Sequence, residues 1–273
     1  MMGLLTLDLC RFGVVMGADS QPIDLLEGST RIHSQGQRNA NPIVEWHGAR
    51  FTGLIGYVGR RSVAGLSTRS WLERFMVRNR DLTTSDFCER LAGQLTAEWR
   101  RLHLRSGLWV YVSGVANRDV QFWFVNNIAG IDPNNGTYSG IADTFKAVND
   151  FDQNYVTRDR RPGETKDQLL DRALYTFRNG ALYPSTTMLD AFSATVLQIF
   201  NGNVPGFAPI RSLDDLAFFA RQRLEFTKRL HSPTHGIYKG SRSPIDGKVH
   251  VLAVTRSGEV RECSKNISQR RHR

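Results

Sequence analysis

The chain has no apolar run long enough to cross a bilayer; its longest candidates are broken by Arg, Asp or Gly. The start lacks a basic stretch followed by an apolar core and a small-residue cleavage site, so no secretory signal is expected. Cysteine is scarce. Cys10, Cys88 and Cys263 are the only three in 273 residues, and their scatter excludes a metal-binding spacing; they read as reduced thiols of a cytoplasmic protein. His231, His235 and His250 have no ligand spacing with Cys263 or a carboxylate, so neither a metal nor another cofactor is implied. The glycine-rich Gly53-Leu54-Ile55-Gly56-Tyr57-Val58-Gly59 lacks the Lys-Ser/Thr ending of a phosphate-binding loop. No internal repeat or low-complexity tract is visible.

What is present is enough apolar material for a substantial core, 40% of residues, and a strong basic excess with a formal charge of +10. The excess is spread along Arg60-Arg61, Arg100-Arg101, Arg158 to Arg161 and a tail ending Gln269-Arg270-Arg271-His272-Arg273. Charge alone admits a nucleic-acid-binding module or an acidic partner. Aromatics are not interleaved with the basic runs, which favours solvated surface charge over a nucleic-acid groove.

Periodicity divides the chain into alternating groups of strands and helices. Residues 4–10 are β-rich, and Val14 to Gly17 follow a turn at Arg11-Phe12-Gly13. Short strands are expected at 30–35, 42–47 and 51–58. A helical pattern then carries Val63, Leu66, Trp71, Phe75 and Met76 on one side. The next helix has the sharper signature: Thr83 and Asp86 suit a capping box, and Phe87, Leu91, Leu95, Trp99 and Leu102 recur every three or four residues. Residues 109–115 and 120–125 flank Ala116-Asn117-Arg118-Asp119 as a hairpin, and a further strand is expected near 136–141. The polar stretch 144–165 reads as an insertion or mobile loop. Helices are expected at 166–179, at 185–201 and from Ser212, and Val249 to Cys263 as a closing hairpin around Ser257-Gly258. This order predicts an α+β fold of two antiparallel sheets between helical layers, a four-layer αββα sandwich. A single domain over 1–273 is expected, with an insertion around 144–210 and a basic tail over 264–273.

This succession resembles the proteasome-like N-terminal-nucleophile hydrolases, best over 4–126 and again over 212–262. Gly17-Ala18-Asp19-Ser20-Gln21 is similar to the family's small-small-Asp segment, whose Asp positions a lysine beside a threonine nucleophile. Ser29-Thr30-Arg31-Ile32-His33 matches the phrase that holds that lysine, so Arg31 stands in its place. Gly56 matches the glycine whose amide helps form the oxyanion hole. The nucleophile of active members lies sixteen residues before the matched Asp, which here is Gly3. Glycine has no side chain to attack with, and arginine stays protonated and cannot act as a base.

The resemblance therefore implies a non-catalytic assembly or scaffold subunit, forming a homo- or hetero-oligomer with an active partner subunit or an ATP-dependent unfoldase. It also implies that the helices carrying Trp71 and Phe75, and Phe87 to Trp99, leave apolar residues exposed for neighbouring subunits. The competing expectation is a threonine peptidase or amidohydrolase whose processing exposes Thr6. Asp19 with Arg31 could equally be a structural ion pair, and Gly56 a packing glycine.

Overall fold

A computed structural model describes residues 4–20, 23–26, 29–32, 41–131, 138–180, 186–206, 208–239 and 247–263, with side chains left aside over 21–40, 131–138, 180–189 and 230–246. Two antiparallel sheets stack face to face. The first has five strands in the order β12-β1-β2-β13-β14, formed by β1 (Leu4–Cys10), β2 (Gly13–Asp19), β12 (Tyr175–Gly180), β13 (Val249–Thr255) and β14 (Val260–Glu262). The second has seven, formed by β3 (Ile23–Leu26), β4 (Ser29–Ile32), β5 (Ile43–His47), β6 (Thr52–Gly59), β9 (Ser106–Ala116), β10 (Asp119–Ile131) and β11 (Tyr138–Val148). In it β9 is the hub, pairing with β10 on one side and with β6 and β3 on the other. A small ladder of β7 (Ser62–Val63) and β8 (Leu66–Ser67) leads into the first helix.

Side-chain alternation explains the layers. On β1, Leu5, Leu7 and Leu9 face the second sheet with Val14, Met16, Leu252, Val254, Tyr111 and Phe122. The intervening Leu4 and Cys10 join Val15, Val251 and Ala253 beneath α5 (Thr186–Phe200) and α6 (Leu213–Lys239). Both faces of β1 are buried, which is why its sequence lacks a clean polar alternation. On the far side, α1 (Thr68–Arg78) and α2 (Thr84–Arg101) lay Trp71, Phe75, Phe87, Leu91, Leu95 and Trp99 on the seven-stranded sheet. The Thr83 hydroxyl caps α2, accepting from Asp86 N–H at 3.2 Å while donating to its carboxylate at 2.7 Å.

Three expectations are corrected. The helix expected over 166–179 is shorter, α4 (Lys166–Arg172), because Tyr175–Gly180 instead pairs along the open edge of β1, from Leu4↔Gly180 to Leu9↔Tyr175. The stretch 144–165 carries regular structure: β11 runs on to Val148, followed by a π-helical turn (Phe151–Val156) and the short α3 (Thr157–Asp159). Phe151, Val156, Leu169 and Leu170 close one end of the inter-sheet core. Arg172 braces that end through Glu164 at 2.8 Å and holds its carboxyl down at about 2. Finally, the apolar residues named for an interface on α1 and α2 point inward: Trp71 and Phe75 are 6% and 3% exposed and Phe87, Leu91, Leu95 and Trp99 are buried, while Val77 of α1 is left 74% exposed.

Candidate functional site

Of the sequence-predicted residues, Asp19, Gly56 and Thr6 fall around the beginning of β1, at the end of the sandwich opposite the closing segment 151–170. Asp19 ends β2 and is fully buried. Its Oδ1 accepts the Leu4 N–H at 2.7 Å, tying the first described residue of β1 to the carboxylate. Its Oδ2 accepts the Gly247 N–H at 3.3 Å, from the segment that leads into β13. Ser20 continues the seam: its N–H donates to the Lys248 carbonyl at 3.0 Å, and its hydroxyl accepts the Lys248 N–H at 2.9 Å. Lys228 of α6 donates to the Gly247 carbonyl at 3.0 Å, so the seam is fixed from the helical layer as well.

Gly56 lies in the middle of β6, paired with Ile43 on one side and Tyr111 on the other. A Cβ at this position would sit 2.6 Å from Met16 Sδ and 2.7 Å from Leu5 Cδ1, so the absence of a side chain lets β6 approach the five-stranded sheet closely. The residue of β1 that meets Gly56 is thus Leu5. Thr6, its neighbour, points to the opposite face of the sheet, fully buried, with its hydroxyl donating to the Gly17 carbonyl at 3.3 Å. Gly17 is the other close-approach glycine: a Cβ there would meet Leu224 of α6 at 2.6 Å and Thr6 Oγ1 at 3.1 Å. The structure does not bring Thr6 and Gly56 to one side. Arg31 lies on β4 of the seven-stranded sheet, opposite Asp24 of β3, and so on a different sheet from Asp19. Its side chain lies outside the described residues, as do Gly3, Gln21 and the tail 264–273.

Two features escaped sequence reasoning. His250, opposite Ala18 on β13, shares the inward face of Leu252 and is 6% exposed, with Nε2 lacking a hydrogen-bond partner. Burial, and then the charge of Lys248, hold its pKa below the ordinary 6.5. Asp8 and Arg223 form a buried bidentate pair between β1 and α6, at 3.0 and 2.6 Å, with the Thr176 hydroxyl donating to Asp8 at 2.6 Å. The signal for this pair was present: the one carboxylate in the mainly apolar Leu4–Cys10, and an arginine between Ala220 and Leu224 on the apolar side of a helix. Among the described residues no group of three or more His, Cys, Asp or Glu could hold a metal ion. The hydroxyls of Thr6 and Ser20 are both buried and bonded, so this part of the site offers a fixed carboxylate and tied hydroxyls.

No family model matches the sequence, and no curated protein matches it. Among solved structures, the chain is similar to the Anbu (Gly-1) mutant from Hyphomicrobium sp. strain MC1, with a TM-score of 0.50. The likeness covers 96% of this chain and 88% of that one. The fold is that of the proteasome-like N-terminal-nucleophile hydrolases. At 9% identity the likeness speaks for the fold alone. No helix among the described residues is long and apolar enough to cross a membrane.

Proposed function

We propose that this chain is a non-catalytic, assembly-forming protein of proteasome-like fold. The observation that carries the reading is the state of Thr6, the one hydroxyl residue on β1: it is fully buried between the sheet and α6, on the face away from Gly56. Removing residues up to Leu5 to free Thr6 would also remove the Leu4–Asp19 hydrogen bond and the Leu5 side chain that packs on Gly56. Gly3 in the nucleophile's place and Arg31 in the lysine's place support the same reading, because neither can attack or take a proton at neutral pH. Asp19 then serves to anchor the start of β1. The protein works in the cytoplasm, in keeping with three free cysteines, as a homo- or hetero-oligomer that engages an active subunit or an ATP-dependent unfoldase.

Intact mass and labelling test this directly. The purified chain is expected to keep residues before Thr6, to leave small peptides and amides uncleaved, and to resist electrophiles that trap N-terminal threonines. A mature chain beginning at Thr6, labelled there and silenced by Thr6→Ala, would overturn the proposal in favour of a threonine peptidase or amidohydrolase.

A further inference from the structure

The ladder between β10 and β11 is irregular. Ile141 faces Ile128 and Lys146 faces Asn126, so β11 bulges outward between those two pairs. Asn127, 3% exposed, turns inward there and donates to the Ala142 carbonyl at 2.7 Å and the Ser106 carbonyl at 3.2 Å. The start of the bulge forms one wall of a cleft of about 570 Å³, and the C-terminal end of α2 forms the other. That volume lies within the range of small-molecule sites, about 300–1,000 Å³. Leu104 and Ile141 give the cleft apolar lining, Arg100, His103 and Arg105 line it with basic groups, and Asp143 is its single carboxylate.

α2 ends in a cap that glycine ordinarily supplies. The Leu104 N–H donates to the Trp99 carbonyl at 3.0 Å and the His103 N–H to the Arg100 carbonyl at 3.3 Å, the paired bonds of a Schellman motif. The motif requires a left-handed residue at position 103, and His103 takes it at φ 50°. Glycine adopts that conformation without strain; histidine gives up stability to place a side chain at the cleft. The same bonds occupy terminal carbonyls of α2, which blunts the partial negative charge that would repel an anion. Arg100 is held across the cleft, its Nε donating to Asp143 at 3.3 Å and its Nη2 to the Thr144 hydroxyl at 2.8 Å, which leaves Nη1 without a bond. Among the described residues His103 and Arg105, both exposed, take no part in an ion pair. A dianion complements this lining better than a neutral or singly charged group does. We propose that the cleft binds a small phosphorylated molecule, with Arg105, His103 and Arg100 on the phosphate and Leu104 and Ile141 against the organic body. The cleft shares no residue with the Asp19 seam, and its use as a binding site does not depend on the assembly reading.

Calorimetric titration of the full chain at low salt, with adenosine monophosphate, inorganic phosphate and adenosine as probes, tests it. Adenosine monophosphate is expected to bind, inorganic phosphate to bind more weakly, and adenosine not to bind. Arg105→Glu and His103→Gly should each weaken binding of both phosphate probes by about tenfold or more. Arg105 is exposed and unpaired, so its variant should melt at the parent's midpoint. His103→Gly should melt above the parent, since glycine relieves the left-handed backbone, while it loses the ligand. A higher midpoint with undiminished binding would make His103 a cap alone and overturn its place in the site. Binding that survives both substitutions would put the anion elsewhere and overturn the cleft. Equal binding of adenosine and adenosine monophosphate would overturn the phosphate as the handle. Binding confined to a single-stranded oligonucleotide, with both small phosphates ignored, would overturn the small-molecule ligand in favour of a nucleic acid.

Discussion

Against the seven-stranded sheet, α1 and α2 lay down an apolar, aromatic-rich contact in which Trp46 stacks on Phe87 at 3.9 Å and Trp99 meets Phe145 edge-on at 4.8 Å. Against the five-stranded sheet, α6 carries Leu216, Ala220 and Leu224 but also sets Arg223 on Asp8, 2% and 1% exposed, with Thr6, Thr176 and Thr227 nearby. The first layer is held by burial, which is strong but tolerant of position. The second adds a contact that one geometry alone satisfies. A bidentate guanidinium–carboxylate pair fixes how α6 sits along and across β1, and β1 is the strand on which the candidate site depends. The apolar layer thus supplies adhesion, and the mixed layer supplies registry.

The sharpest way to break this comparison is Arg223→Met, which leaves the Asp8 carboxylate buried without its partner. A loss of about 3–5 kcal/mol is expected in urea unfolding at neutral pH. The double variant Asp8→Leu/Arg223→Met should recover most of it, to within about 1 kcal/mol of the parent, since an apolar pair has no charge to desolvate. If single and double variants lose the same amount, the pair contributes packing rather than ionic registry. In the apolar layer, Leu95→Ala on α2 should cost about 3 kcal/mol through lost burial and a cavity, whatever the salt concentration. Next in size is Gly17→Ala, whose methyl would press on Leu224 of α6; a loss of about 1–3 kcal/mol measures how firmly the ion pair holds α6 in place. A neutral result would show that α6 slides freely, against the registry argument.

The smallest effect comes from His250, which lies between the sheets and outside both helical layers. Its folded pKa is below the unfolded value, so the unfolded chain binds a proton more readily on acidification. Its contribution is therefore fully present above about pH 6.5 and is lost as pH falls through the lower folded pKa. Urea midpoints recorded downward from neutral pH should fall more steeply for the parent than for His250→Leu. Equal slopes would assign the acid sensitivity to other groups.

Much of the architecture was legible in short-range pattern. β6, β9, β10 and β13 announce themselves by β-branched and aromatic residues, β1 and β2 by apolar arms around the turn at Arg11-Phe12-Gly13, and α2 by its cap and its apolar period. The misread strand, Tyr175–Gly180, carries no stronger local signal than the helix before it; its state was decided by the unpaired edge of β1, far away in sequence. The stretch 144–165 read as an insertion or mobile loop, because Phe151 and Val156, which it gives to the inter-sheet core, are too few for a periodic signal. In the candidate site, Asp19 and Gly56 were singled out from sequence by resemblance, but the close approach of Gly56 to Leu5 was not readable there.

The amino-acid sequence by itself determined the residue types on which the family resemblance was argued: Gly3, Arg31, Gly56 and an aspartate, Asp19, at the end of the second strand. It also determined the largely apolar run that lets both faces of β1 be buried. Tertiary structure alone decided that Thr6 faces α6 while Leu5 faces Gly56, that Asp8 finds Arg223 across 215 residues of chain, and that α6 rather than α1 or α2 keeps aromatic side chains in solvent. The reason is physical. A strand's pleat fixes which residues share a face, but which face meets which layer depends on the sheets and helices that close over it, and those contacts join parts of the chain too far apart for any local pattern to record.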